Sequence, residues 1–169
     1  DNNTLQGNFI GTDANGTAAL PNLGSGIRIR HSNDNVIGGE TTDVRNVIAG
    51  NATHGIDVSG SLATGTLIQG NHIGADVAGD PLGNGSIGVV ISAGSNTTIG
   101  GTTPGARNLI SDNTVYGVFV TGTNATGNAI LGNSIVGHGN QGINLAPGGV
   151  TLNDPGDLDT GANNLQNYP

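Results

Sequence analysis

The sequence predicts an all-β fold: a right-handed parallel β-helix, or solenoid, of about five turns with three short strands in each. Three observations predict it. Short phrases recur at a steady interval of 31 or 32 residues, the mark of a repeat architecture. Within each unit, Ile, Val and Leu alternate with other residues at period two, which is the period of a strand. The chain holds 32 glycines and only 2% aromatics, so the core has to be built from aliphatic columns.

The repeat is read most easily from its long form. Gly7-Asn8, Gly70-Asn71 and Gly132-Asn133 recur at 63 and 62 residues, and Gly38-Gly39 recurs at Gly100-Gly101. That period halves, because Asn3, Asn35, Thr66, Thr97 and Asn128 are separated by 32, 31, 31 and 31. Five units result.

The first strand of each unit carries Leu5, Ile37, Ile68, Ile99 or Ile130 at one position. The second reads Asn-x-Ile, from Asn8/Ile10 through Asn46/Ile48, Asn71/Ile73 and Asn108/Ile110 to Asn133/Ile135. The third reads Gly-apolar-x-apolar, from Gly26-Ile27-Arg28-Ile29 to Gly142-Ile143-Asn144-Leu145. β-Branched residues at alternate positions favour strands. Stacking like strands of successive units about 4.8 Å apart makes a parallel β-helix. Crossovers between parallel strands are right-handed, which sets the hand. Asn8, Asn46, Asn71, Asn108 and Asn133 then form a ladder whose amides bond along the column.

These phrases, N-x-I-x-G-N-x-I-G, N-x-I-G-G, R-N-x-I and G-I-x-I-x-G, resemble the right-handed β-helix superfamily that includes pectate lyases and carbohydrate-binding repeat families. More narrowly, they look like the β-helix regions of very large bacterial surface proteins. The resemblance covers nearly all of residues 1–153. It implies the fold and an extracellular or cell-surface location. Activity does not follow from fold.

Composition narrows the partners. Eleven Asp and one Glu against four Arg give a net charge of −8, which repels nucleic acid and anionic lipid. No run of 18 apolar residues is present to insert into a membrane. With no Cys or Met, thiol chemistry and disulfides are excluded. A secreted protein stabilised by repetition needs neither. The start inside a repeat, at Asp1-Asn2-Asn3, reads as an excised piece or a mature product.

Catalysis needs convergent side chains, which a solenoid can present only along its outward columns. The third strands present Arg28, Asp57, Val90, Phe119 and Asn144 outward; the second present Phe9, Val47, His72, Leu109 and Ser134. Neither column gathers the two or three carboxylates that lyases resembling this fold use to hold calcium. Arg28 and Asp57 read as a surface ion pair, with His31 nearby as the remaining catalytic candidate. His31, His54, His72 and His138 lack zinc-site spacing and read as exposed turn residues. No catalytic or cofactor-binding residue is therefore assigned.

Insertions alternate along the chain: Thr12–Ser25 and Ala75–Ile87 follow the second strand, and Glu40–Val44 and Thr102–Ala106 precede it. They are either a binding edge or plain decoration. Asp13-Ala14-Asn15-Gly16 and Asp76-Val77-Ala78-Gly79-Asp80 hold oxygen ligands on glycine-containing loops, but they lack the full calcium-loop spacing and its terminal Glu and read as turns.

The densest acidic cluster comes last. Residues 1–149 form the β-helix domain and 150–169 an acidic C-terminal cap or linker. Asp154, Asp157 and Asp159 lie there within six residues and suit Ca²⁺ as the one cofactor in view. In the proteins it resembles, this segment marks the exit from the β-helix into a following domain. The functional expectation is a non-catalytic structural or adhesive solenoid module. Its partners are flanking domains, or copies of itself stacking end to end. The alternative is a carbohydrate-active or glycan-binding β-helix with a polysaccharide partner, using Phe9, Tyr116 or Phe119 as stacking platforms.

Overall fold

The computed structural model describes residues 1–146 and 161–165. Fifteen short strands form three parallel sheets of five strands each, wound as a right-handed β-helix. The first coil holds β1 (Thr4–Leu5), β2 (Phe9–Ile10) and β3 (Ile27–Arg30), and the second β4 (Val36–Gly38), β5 (Val47–Ile48) and β6 (Ile56–Ser59). The third has β7 (Leu67–Gln69), β8 (His72–Ile73) and β9 (Val89–Ser92). The fourth has β10 (Thr98–Gly100), β11 (Leu109–Ser111) and β12 (Val118–Thr121), and the fifth β13 (Ala129–Leu131), β14 (Ser134–Val136) and β15 (Ile143–Leu145).

The strand register carries the predicted columns. Leu5 pairs with Ile37, Ile37 with Ile68, Ile68 with Ile99, and Ile99 with Ile130. On the second sheet Ile10, Ile48, Ile73, Ile110 and Ile135 stack in the same way. On the third, Ile27, Ile56, Val89, Val118 and Ile143 do so. Inside the stack, Ile37, Ile48, Ile56, Ile68, Ile73, Ile99 and Ile110 are completely buried. Burying one such side chain stabilises by about 2–3 kcal/mol, and repetition multiplies the gain.

Helical structure among the described residues is confined to short 3-10 turns. Two of them, Thr42–Val44 and Pro104–Ala106, are the insertions that precede β5 and β11. Each fills a corner against the tight glycine turn of a neighbouring odd coil, since Gly7 N–H donates to the Val44 carbonyl and Gly70 N–H to that of Ala106.

The insertions after β2 and β8 are small hairpins, closed by antiparallel bridges Thr12–Ala19 and Ala75–Pro81. They stack on each other through Val77 N–H, which donates to the Gly16 carbonyl at 3.0 Å. Phe9 and Val77 both lie against Gly16, and with Val47 they line a shallow groove on the outer face of the second sheet. Val47, an outward residue by its register, is accordingly only 1% exposed. The outward reading of its direction holds, and its exposure is corrected.

Candidate functional site

The polar chemistry of this protein is concentrated at the corners between strands. At the first corner the expected ladder is present. Asn46 Oδ1 accepts from the backbone N–H of Asn8 at 3.0 Å and from its Nδ2 at 2.9 Å. Asn71 does the same for Asn46, Asn108 for Asn71, and Asn133 for Asn108. The second amide hydrogen reaches back to a strand carbonyl, from Asn46 to Leu5, Asn71 to Ile37, Asn108 to Ile68 and Asn133 to Ile99. Both halves of a buried amide are thereby satisfied.

Room for each amide comes from a glycine. Gly100, at φ +87°, ends β10, and a β-carbon there would come within 2.5 Å of Asn133 Oδ1. Only glycine combines that backbone conformation with that close approach.

Two further columns are present, one not expected from the sequence and one expected only as the recurring position that sets the repeat. At the second corner Asn22, Asn51, Asn84 and Asn113 are joined by Nδ2-to-Oδ1 bonds of 2.8, 3.0 and 2.9 Å. His138 closes that column, its Nδ1 accepting the Asn113 N–H at 3.2 Å. At the third corner Asn3 bonds Asn35, Thr66 and Thr97 continue the column, and Asn128 Oδ1 accepts the Thr97 N–H. Asn163, from the described C-terminal piece, then accepts the Asn128 N–H at 2.8 Å while Ala162 is buried in the core. The signal for the second column was present: Asn22, Asn51, Asn84 and Asn113 each stand four residues before the glycine that opens a third strand.

The outward candidates are dispersed. Arg28 Nε and Asp57 Oδ2 lie 2.9 Å apart, with Arg28 60% exposed, so this is a surface ion pair. Tyr116 and Phe119 stack on each other with ring centroids 5.4 Å apart, which spends one face of each ring. Asn144, outward by register, is buried. Asp13 and Asp76 cap their own hairpins. Asp13 Oδ1 accepts from the N–H groups of Thr17 and Ala18, and Asp76 Oδ1 from those of Ala78 and Asp80. Those donors hold the Asp13 carboxyl below its ordinary pKa.

Of the four histidines, only His31 is exposed. The turn reading is corrected for the others, which are half-buried and structural. His72 Nδ1 meets the Asp76 carbonyl at 2.8 Å, His54 Nδ1 lies 3.4 Å from the Ile87 N–H, and His138 closes its column. Burial depresses the pKa of all three. No group of three His, Asp or Glu able to hold a metal occurs among the described residues. Asp154, Asp157 and Asp159, and the boundary between 149 and 150, lie outside the described residues.

No protein-family model, curated protein or solved structure matches this chain. What the arrangement offers chemically is therefore read from the columns and faces alone.

Proposed function

We propose that the chain is a non-catalytic structural or adhesive β-solenoid module of a secreted or cell-surface protein. On this reading it is a rigid rod segment of the kind its repeat phrases resemble in large bacterial surface proteins. The supporting observation is that most of its buried asparagines bond from one coil to the next, in three corner columns. The outward columns bring no two carboxylates together among the described residues. Five coils at about 4.8 Å give a rod of roughly 25 Å, built to hold a spacing.

Its proposed partners are further coils, from flanking sequence or from a second copy stacked end to end. In the first-corner column each inner asparagine accepts at Oδ1 from the preceding coil and donates its backbone N–H and one Nδ2 hydrogen to the Oδ1 of the following one, so such stacking has one polarity. Ca²⁺ held by Asp154, Asp157 and Asp159 is the proposed cofactor, on the chemistry of three close carboxylates. Polysaccharide binding is the competing reading and rests on the analogy of fold.

Negative-stain electron microscopy of the purified chain, with calcium and then with chelator, tests the proposal. Uniform end-to-end rods are expected, shortening when calcium is removed. Compact particles that bind an acidic polysaccharide would replace the rod with the carbohydrate reading.

A further inference from the structure

His138 occupies a position that asparagine holds in every preceding coil. Asn22, Asn51, Asn84 and Asn113 precede Gly26, Gly55, Gly88 and Gly117 by four residues, and His138 precedes Gly142 by the same interval. Its imidazole reproduces half of what the amide does. Where Asn113 Oδ1 accepts the Asn84 N–H at 3.2 Å, His138 Nδ1 accepts the Asn113 N–H at 3.2 Å. An amide oxygen remains an acceptor at any physiological pH, whereas Nδ1 is an acceptor only while the ring is neutral.

The other ring nitrogen is confined too. His138 Nε2 is buried, has no hydrogen-bond partner among the described residues, and lies where a β-carbon on Gly117 would meet it at 2.6 Å. A proton gained at Nδ1 would therefore point at the Asn113 N–H, and the charge would sit on a half-buried ring. The charged group that faces the ring, among the described residues, is the Asp112 carboxylate, one residue before Asn113. Burial disfavours the charged ring and outweighs the backbone groups of Asn113 and Ile110 and the Asp112 carboxylate, which favour it, so the pKa lies below its ordinary value.

We propose that His138 is an acid-sensitive latch that fastens the fifth coil to the fourth and releases it when the imidazole is protonated. The rest of the stack is held at this corner by amides, which do not titrate, so the response is local. β14 and β15 loosen, and the inward faces of Ile110 and Val118 lose their cover. Acid thereby changes the end of the solenoid without unwinding its middle coils.

The sign follows from linkage. A histidine whose folded pKa is depressed keeps its full contribution above the unfolded value of about 6.5 and loses it as pH falls through the folded value. Hydrogen exchange followed amide by amide on the intact chain at pH 7.5 and pH 5.0 is the test. After correction for intrinsic exchange, opening at Asn113, β14 and β15 should rise roughly ten-fold in acid, with β4 and β7, which carry no histidine, unchanged. His138→Asn, which restores the column amide, should abolish the rise, and His54→Asn should leave it in place. Equal exchange at the two pH values, or the same rise in His138→Asn, would overturn the latch.

Discussion

Asn71 Oδ1 accepts two hydrogen bonds from one residue, Asn46, from its backbone N–H at 3.2 Å and its Nδ2 at 2.9 Å. One oxygen thus satisfies a buried main-chain donor and a buried side-chain donor of the coil before it. Asn71 in turn donates to Asn108 Oδ1 and to the Ile37 carbonyl. Its replacement by alanine leaves groups orphaned on both sides. Asn71→Ala is expected to cost about 3 kcal/mol in urea unfolding, and Asn8→Ala, at the exposed first rung, under about 1 kcal/mol. Equal costs would deny the column its inter-coil role.

Ile73 is completely buried in the second sheet's column. Ile73→Asp places an unpaired carboxylate there and should cost more than about 4 kcal/mol, enough to unfold a domain of this size. Unchanged thermal melting would contradict its inward direction.

Gly100→Ala tests the space beside Asn133. The new methyl meets both the Leu131 carbonyl and Asn133 Oδ1, on a backbone at φ +87°. A loss of about 2–4 kcal/mol is expected by chemical denaturation. Gly24→Ala, where nothing lies within 4 Å, provides the comparison and should be nearly neutral.

The hydroxyls of Thr66 and Thr97 are buried in the third column without a hydrogen-bond partner. Valine keeps the shape and removes the unpaired group. Thr97→Val should raise stability by about 1 kcal/mol. A fall in the unfolding midpoint would show that the hydroxyl is engaged.

Arg28→Ala removes an ion pair whose cation is largely in water. The expected loss is below about 1 kcal/mol and should shrink as salt is added, measured by thermal melting in low and high sodium chloride. A large, salt-independent loss would give this pair a role beyond the surface.

The coil boundaries and the inward residues could be read directly, because each coil places its aliphatic residue at the same register. Leu5, Ile37, Ile68, Ile99 and Ile130 are recognisable as one column before any coordinate is known. The first amide column was readable for the same reason: asparagine stands two residues before an inward isoleucine in all five coils. The second was hidden by loop length. Asn51 follows Ile48 by three residues, but Asn22 and Asn84 are separated from Ile10 and Ile73 by whole hairpins. Counting forward from the second strand therefore scatters a column that counting backward from the third strand aligns.

Which side chains point inward was determined by the sequence alone, since a stack of short strands can hide apolar surface only by repeating it in register. What covers an outward residue was decided by the tertiary structure. Val47 is buried because two hairpins about 60 residues apart in sequence meet above it, joined from Val77 to Gly16. His138 became structural because the winding set it over Asn113, where an imidazole nitrogen could take the place of an amide oxygen. Both depend on contacts between coils, which local periodicity does not encode.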